Sequence, residues 1–220
     1  MTMMYFLVRN FVKLFFMIFM GFKVKGRQKV PKEGAFILAG NHVSHLDPPA
    51  LSAASPRILY FMARHTLFDN RLFGWLIGSC NAFPVRRGEA DMGAMKKAIR
   101  LLKSGKPLLI FPEGTRSETG DMNRAQPGMG YLSLMSGAPV LTAYVDGTQE
   151  AMPKGTHGIK LKKISVYFGD LIDPGTLGLP DDKKEAAQRL SEYVIEEIKK
   201  LGDTVKKQKS KGEGSNKEDG

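Results

Sequence analysis

The sequence holds a single cysteine, Cys80, among 220 residues. One thiol cannot close an intramolecular disulfide and leaves no cysteine cluster for a metal. Nothing therefore argues for an oxidising compartment. Acids are absent from the first 29 residues, which carry Arg9, Lys13, Lys23, Lys25, Arg27 and Lys29. Long uncharged runs are absent from the same region. The longest there, Leu14 to Phe22, is nine residues, where a bilayer-spanning helix needs about 20. No small-x-small cleavage site follows it, which disfavours a secretory signal. A G-x-S-x-G elbow is missing, so a covalent serine nucleophile is unsupported. The G-x-x-x-x-G-K-[ST] phosphate loop is missing too, and we find no internal repeat.

What remains is a chain with 42% apolar and 25% charged residues. These proportions exclude wholesale disorder, collagen and coiled coil, and the length favours one domain. The net charge of +11 is concentrated at the amino terminus, beside Tyr5, Phe6, Phe11, Phe15, Phe16 and Phe19. Nucleic-acid binders spread cations along a groove among base-reading side chains, so no nucleic-acid partner is expected. Cations beside clustered aromatics suit an anionic membrane surface. On a helix, Arg9 and Lys13 share one face and leave the others to Met, Phe, Leu and Ile. Residues 1–25 are therefore read as a helical, membrane-associating segment lying on the bilayer, with a tilted single span and a plain core helix as the alternatives. Residues 204–220 hold one branched apolar residue, Val205, among Lys, Gly, Ser, Asn and acids, and are read as a disordered tail.

Between these ends, residues 26–203 alternate short apolar runs with amphipathic patterns. Ala35–Ala39, Arg57–Met62, Leu108–Phe111, Val140–Val145 and Ile164–Phe168 read as buried strands. Residues 90–103 place Met92, Met95, Ile99 and Leu102 at helical spacing before Gly105; residues 182–201 repeat Ala186, Leu190, Val194 and Ile198 every fourth position. This predicts a single α/β domain, with a mostly parallel central sheet flanked by helices. Ligands then gather in the loops after the strands.

Two such loops carry chemistry. The first runs Gly40-Asn41-His42-Val43-Ser44-His45-Leu46-Asp47-Pro48. A histidine with a nearby carboxylate is the smallest general-base unit. On a regular helix, positions five apart point about 140° away from each other, so His42 and Asp47 pair only across a turn. His45 competes equally as base, and Asp47 before Pro48 also reads as a helix N-cap. A metal on His42, His45 and Asp47 lacks a supporting ligand cluster. The second loop, Pro112-Glu113-Gly114-Thr115-Arg116-Ser117, offers hydroxyls, amides and an arginine suited to a phosphate. Arg64 and the pair Arg86-Arg87 follow other apolar runs, and several arginines at strand ends suggest an anionic headgroup.

Together these segments resemble the glycerolipid acyltransferases of the lysophosphatidic acid acyltransferase family. Asn41-His42-x-Ser44-x-x-Asp47-Pro48 resembles its first block and Phe83–Arg87 its second. Phe111–Ser117 (FPEGTRS) resembles the third, and Ala138-Pro139-Val140-Leu141, more loosely, the fourth. The blocks fall in family order across about half the chain. The resemblance implies an acyltransferase moving a fatty acyl group from acyl-CoA or acyl carrier protein to the hydroxyl of a lysophospholipid, with no cofactor or metal. It implies His42 as general base and Asp47 as its orienting partner. Glu113, Gly114 and Thr115 would shape the acceptor site, and Arg64, Arg87 and Arg116 would contact its phosphate. Lysophosphatidic acid is the expected acceptor and another lysolipid the alternative; a non-catalytic lipid-binding module is the reading from a different class. The basic, aromatic amino-terminal segment and the lone cysteine predict a peripheral or monotopic place on the cytoplasmic face of the membrane. Two departures stand out: Arg86 occupies a position where many members have Asp, and Leu141-Thr142-Ala143 lacks a frequent proline.

Overall fold

A computed structural model describes residues 2–86, 91–117, 120–156 and 158–215 of the chain. Seven strands form one sheet: β1 (Lys23–Lys25), β2 (Ile37–Gly40), β3 (Tyr60–Arg64), β4 (Ala82–Val85), β5 (Leu108–Ile110), β6 (Val140–Asp146) and β7 (Ser165–Ile172), in the order β1-β7-β6-β2-β5-β3-β4. The five strands from β6 to β4 are mutually parallel; β7 runs antiparallel to β6 and takes β1 alongside it in parallel. β2 lies at the centre because Ile37-Leu38-Ala39 has no polar side chain to show to water on either face; all three residues are fully buried.

The helices follow from the strand order. From β2 the chain moves outward to β3 and β4 through α2 (Asp47–Ala54) and α3 (Arg71–Ser79). It then returns to β5 and β6 through α4 (Met92–Lys103) and α5 (Gly128–Ser136). Right-handed crossovers in opposite directions cover opposite faces. One face accordingly packs Leu38, Leu109, Leu141 and Val166 against Leu46, Ala50, Leu51 and Ala54 of α2 and its approach. The other packs Ile37, Leu108 and Val140 against α4, α5 and the long α7 (Lys183–Ser215). The chain's direction of travel reverses between β2 and β5, and in doubly wound sheets the carboxyl ends of the strands at such a point form the crevice that takes the ligand.

The amino-terminal helix α1 (Thr2–Phe19) lies over α2. Alanines at 50, 53 and 54 let α2 be covered on both sides. Phe16 and Met20 join the core, while the Tyr5 hydroxyl hydrogen-bonds Ser52 Oγ at 2.9 Å and accepts from the Leu59 amide at 3.0 Å. With β1 in the sheet as well, α1 and β1 pack as part of the domain. The opposite side of α1 is apolar and exposed, with Met3, Leu7, Phe11, Leu14 and Ile18 at spacings of 3 and 4. No helix among the described residues is long and apolar enough to cross a membrane.

Three sequence expectations shift. The strand expected at 57–62 forms at Tyr60–Arg64, because Pro56 and the hydrogen bonds of Ser55 Oγ with both Arg57 main-chain groups hold the chain in a turn first. In α4 the buried side is Ala94, Ala98 and Leu102, and Met92 is 55% exposed. Small side chains sit where the helix comes closest to its neighbours. The tail expected to be disordered from residue 204 is helical through Ser215. Val205 extends the buried stripe of Val194 and Ile198, Gly202 backs onto the Tyr144 ring, and Lys209 pairs with Asp146. One apolar anchor and one ion pair thus outweigh a polar composition.

Candidate active site

At the end of β2, Asn41 leaves the strand but keeps its pairing. Its side chain accepts from the Val145 amide at 2.7 Å and donates to the Val145 carbonyl at 2.9 Å. A side-chain amide thereby stands in for a peptide unit and holds the exit of β2 against β6. The next residue, His42, is buried at this switch point. Its main chain is fixed by the loop after β5: the amide donates to Glu113 Oε1 at 2.8 Å and the carbonyl accepts from the Ser117 amide at 2.8 Å. Its ring stacks on Phe111, with centroids 3.9 Å apart and planes 13° from parallel.

His42 Nδ1 lies 2.8 Å from Asp47 Oδ2. The same oxygen accepts the amides of Val43 and Ser44, both at 2.7 Å, and Oδ1 accepts the Thr148 hydroxyl at 2.6 Å. Asp47 is fully buried. Groups that only donate surround Oδ2, so the carboxylate acts as an acceptor there and Nδ1 carries the proton toward it. Nε2 is then the basic nitrogen of the neutral ring. His45, the competing histidine, is exposed, whereas the buried ring of His42 meets this carboxylate. The N-cap reading of Asp47 is corrected: Asp47 is the first residue of α2, Leu46 stands at the cap, and the carboxylate serves the turn before the helix. Among the described residues no cluster of three or more His, Cys, Asp or Glu could hold a metal ion.

The loop after β5 divides into a buried and an open half. Glu113 is buried, with Oε1 accepting from His42 and Oε2 from the Asn123 amide at 2.8 Å. Burial raises its carboxyl above the ordinary range, against the opposing pull of those two amides. It works as a clamp joining the β2 exit to the segment around residue 123. Gly114 turns the chain with φ +71°, and a Cβ there would press on Gln126 Cγ at 3.1 Å. Gly114 and Thr115 are exposed, Arg116 is half-buried, and Ser117 returns to the interior.

Because β2, β5, β3 and β4 are parallel neighbours, their carboxyl ends lie along one sheet edge. At about 4.8 Å per strand, Arg64 at the end of β3 stands roughly 10 Å along this edge from the end of β2, and Arg86 follows β4. Both are exposed. The Arg86 amide donates to Asp91 Oδ2 at 3.0 Å, and Asp91 also caps α4 by accepting from Ala94. Those two amides hold the Asp91 carboxyl below its ordinary range. Arg87 lies outside the described residues. The site thus brings His42, Asp47 and Glu113 into one hydrogen-bonded unit, with Arg64 and Arg116 on the same edge but outside that unit.

Sequence reading missed Thr148 and the ring of Phe111. Thr148 begins the short helix α6 (Thr148–Ala151), after Gly147 turns with φ +84° where a Cβ would collide with the Lys163 carbonyl. Gly-Thr at the end of β6 repeats the Gly-Thr pattern of residues 114–115, and that repetition was the available signal.

A family model described as Acyltransferase matches residues 21–146. A curated 1-acyl-sn-glycerol-3-phosphate acyltransferase from Bacillus subtilis is 29% identical over 201 residues, covering 90% of this chain and 96% of that protein. A protein of the same description from Streptococcus pneumoniae is 29% identical over 181 residues; the match covers 81% of this chain but 65% of the longer relative. Among solved structures, the 1-acyl-sn-glycerophosphate acyltransferase PlsC from Thermotoga maritima superposes with a TM-score of 0.72 at 26% identity, covering 89% of this chain and 79% of that one. The family match takes in the exit of β2, both edge arginines and the whole loop after β5. On that match, the chain belongs to the Acyltransferase family.

Proposed function

We propose that the protein transfers a fatty acyl group from a thioester donor, acyl-CoA or acyl carrier protein, to the free hydroxyl of 1-acyl-sn-glycerol-3-phosphate, giving phosphatidic acid. The observation that carries this reading is the buried His42–Asp47 pair at the mouth of the crevice. His42 Nε2 takes the proton of the acceptor hydroxyl as the oxygen attacks the thioester carbonyl. Asp47 fixes the tautomer and stabilises the imidazolium that forms. The tetrahedral adduct collapses with loss of the thiolate, which receives the proton from His42, so the ring returns to its starting state. A thioester is already activated, so no acyl-enzyme intermediate is required.

Arg64, Arg87 and Arg116 bind the acceptor's phosphate, and Gly114 and Thr115 form the open floor beside it. Glu113 shapes the acceptor site through the main chain of His42 rather than by touching the lipid. The names of the Bacillus and Streptococcus relatives support the acceptor. The exposed apolar side of α1, on a segment that carries Lys13 and no acid, supports peripheral attachment to an anionic bilayer on its cytoplasmic face.

Thiol release from acyl-CoA and from acyl carrier protein, with and without lysophosphatidic acid, tests the reading. Acceptor-dependent release should fall about 10²–10⁴-fold in His42→Ala, with the melting transition retained. Release that depends instead on a lysolipid lacking a terminal phosphate would move the assignment to another acceptor. Release unchanged by the substitution would remove His42 from the chemistry.

A further inference from the structure

The exposed apolar surface does not end with α1. Helix α3 presents Leu72, Phe73 and Trp75 to solvent at 76%, 44% and 58% exposure. The opposite side of the helix is fixed: Gly74 is buried, and a Cβ there would strike the Phe68 backbone at 2.9 Å. Asn70 caps the helix by accepting from the Phe73 amide at 3.0 Å. The three side chains are therefore displayed on a rigid, capped helix. α3 and α1 touch, and both lie on the outside of the layer that covers one sheet face.

We propose that α3 is a second bilayer-inserting element, which dips Leu72, Phe73 and Trp75 into the same leaflet that α1 lies on. Charge argues for a lipid surface over a protein partner. Arg64 and Arg71 flank the α3 patch, with Asp69 as the acid between them. Around α1 the chain has no acid before Glu33 and Lys13 is half-exposed, whereas Arg9 lies over the Tyr5 and Phe6 rings with Nη1 buried. Apolar side chains with exposed cations beside them match the acyl region and anionic headgroups of one leaflet, and tryptophan prefers that boundary. Position gives the patch a consequence. α3 starts just past the carboxyl end of β3, so Leu72 and Phe73 stand beside the edge that carries Arg64 and the loop after β5. Insertion at this point brings the mouth of the crevice to headgroup depth, where a lysolipid's phosphate and free hydroxyl lie.

The inference rests on the bilayer reading of α1, and a single property separates the two. Trp75 is the only tryptophan in the chain, so its fluorescence in the full-length protein reports α3 alone. With vesicles of phosphatidylcholine and phosphatidylglycerol, the protein should co-sediment. Trp75 emission should shift to the blue and be quenched by lipids brominated near the top of their acyl chains. Leu72→Ser with Phe73→Ser, at exposed positions, should weaken vesicle binding several-fold and reverse most of the shift without changing the melting transition. Co-sedimentation with unshifted, unquenched emission would overturn the role of α3 while leaving α1 as the anchor. Failure to co-sediment would overturn both. A blue shift that grows with protein concentration in the absence of lipid would assign the patch to a second copy instead. None of these readouts uses acyl transfer, so they stand whatever the acceptor is.

Discussion

The loops that leave β2 and β5 meet at His42, yet they are built differently. In the first, His42, Ser44 and Asp47 are buried, and four donors engage the Asp47 carboxylate. In the second, Gly114 and Thr115 face solvent and Arg116 is half-exposed. A base that must take a proton at one fixed place needs its orientation over-determined. A surface that must admit and release a charged headgroup needs its donors accessible. On the proposed reading, the division is between holding a catalyst still and leaving room for a ligand, with Glu113 as the joint.

Asp47→Asn tests the held side most severely. Asn can still accept the Val43 and Ser44 amides through its oxygen and donate to Thr148, so the turn survives. What disappears is the negative charge facing Nδ1. A hydrogen bond to a charged group is worth about 1.5–3 kcal/mol, so kcat should drop roughly 10- to 150-fold with little change in KM. Wild-type turnover in this variant would mean that the buried loop is scaffolding only.

On the open side, Arg116→Ala should act in the other direction. It should raise KM for the phosphate-bearing acceptor about tenfold, the loss of one charge-assisted hydrogen bond, and leave thermal stability alone. If kcat fell while KM held, Arg116 would belong with the buried machinery and the division between the loops would fail.

Glu113→Gln probes the joint. Its amide nitrogen must face one of two backbone N–H donors, so one buried donor loses its partner at a cost of about 1–3 kcal/mol. The pH dependence has a definite sign. The native carboxyl titrates above its unfolded value, so the folded state binds the extra proton in between. The stability Glu113 contributes at low pH is therefore lost as pH rises through its native value. Denaturant melts across that range should show the wild type's margin over Glu113→Gln shrinking as pH increases; a constant or widening margin would contradict a raised carboxyl.

Much of the fold was written in local pattern. The five expected strands form within a few residues of their places, because runs such as AFILA and VLTAYV have no polar side to expose. The Ala186–Ile198 stripe is buried as its period requires. What escaped depended on distant partners. Residues 204–215 are polar in composition, and Asp146, about 60 residues earlier, gives Lys209 its partner, while Gly202 backs onto Tyr144 just before the buried Val205. The site divides the same way. His42 and Asp47 were legible because their spacing permits a cross-turn pair. The choice between His42 and His45 needed the course of the turn, and Thr148 needed β6 beside β2. The cap reading of Asp47 failed because Val43 and Ser44 donate to its carboxylate before α2 begins.

The sheet also joins the two ends of the chain: Lys23–Lys25 pairs with Ser165–Tyr167. At a synthesis rate of about 5–20 residues per second, β1 waits roughly seven to thirty seconds for its partner strand, and α1 emerges before either. The inner side of α1, with Phe16 and Met20, therefore has no finished core to enter while the later strands are still being made. The helix made first is thus among the last to be fixed in place.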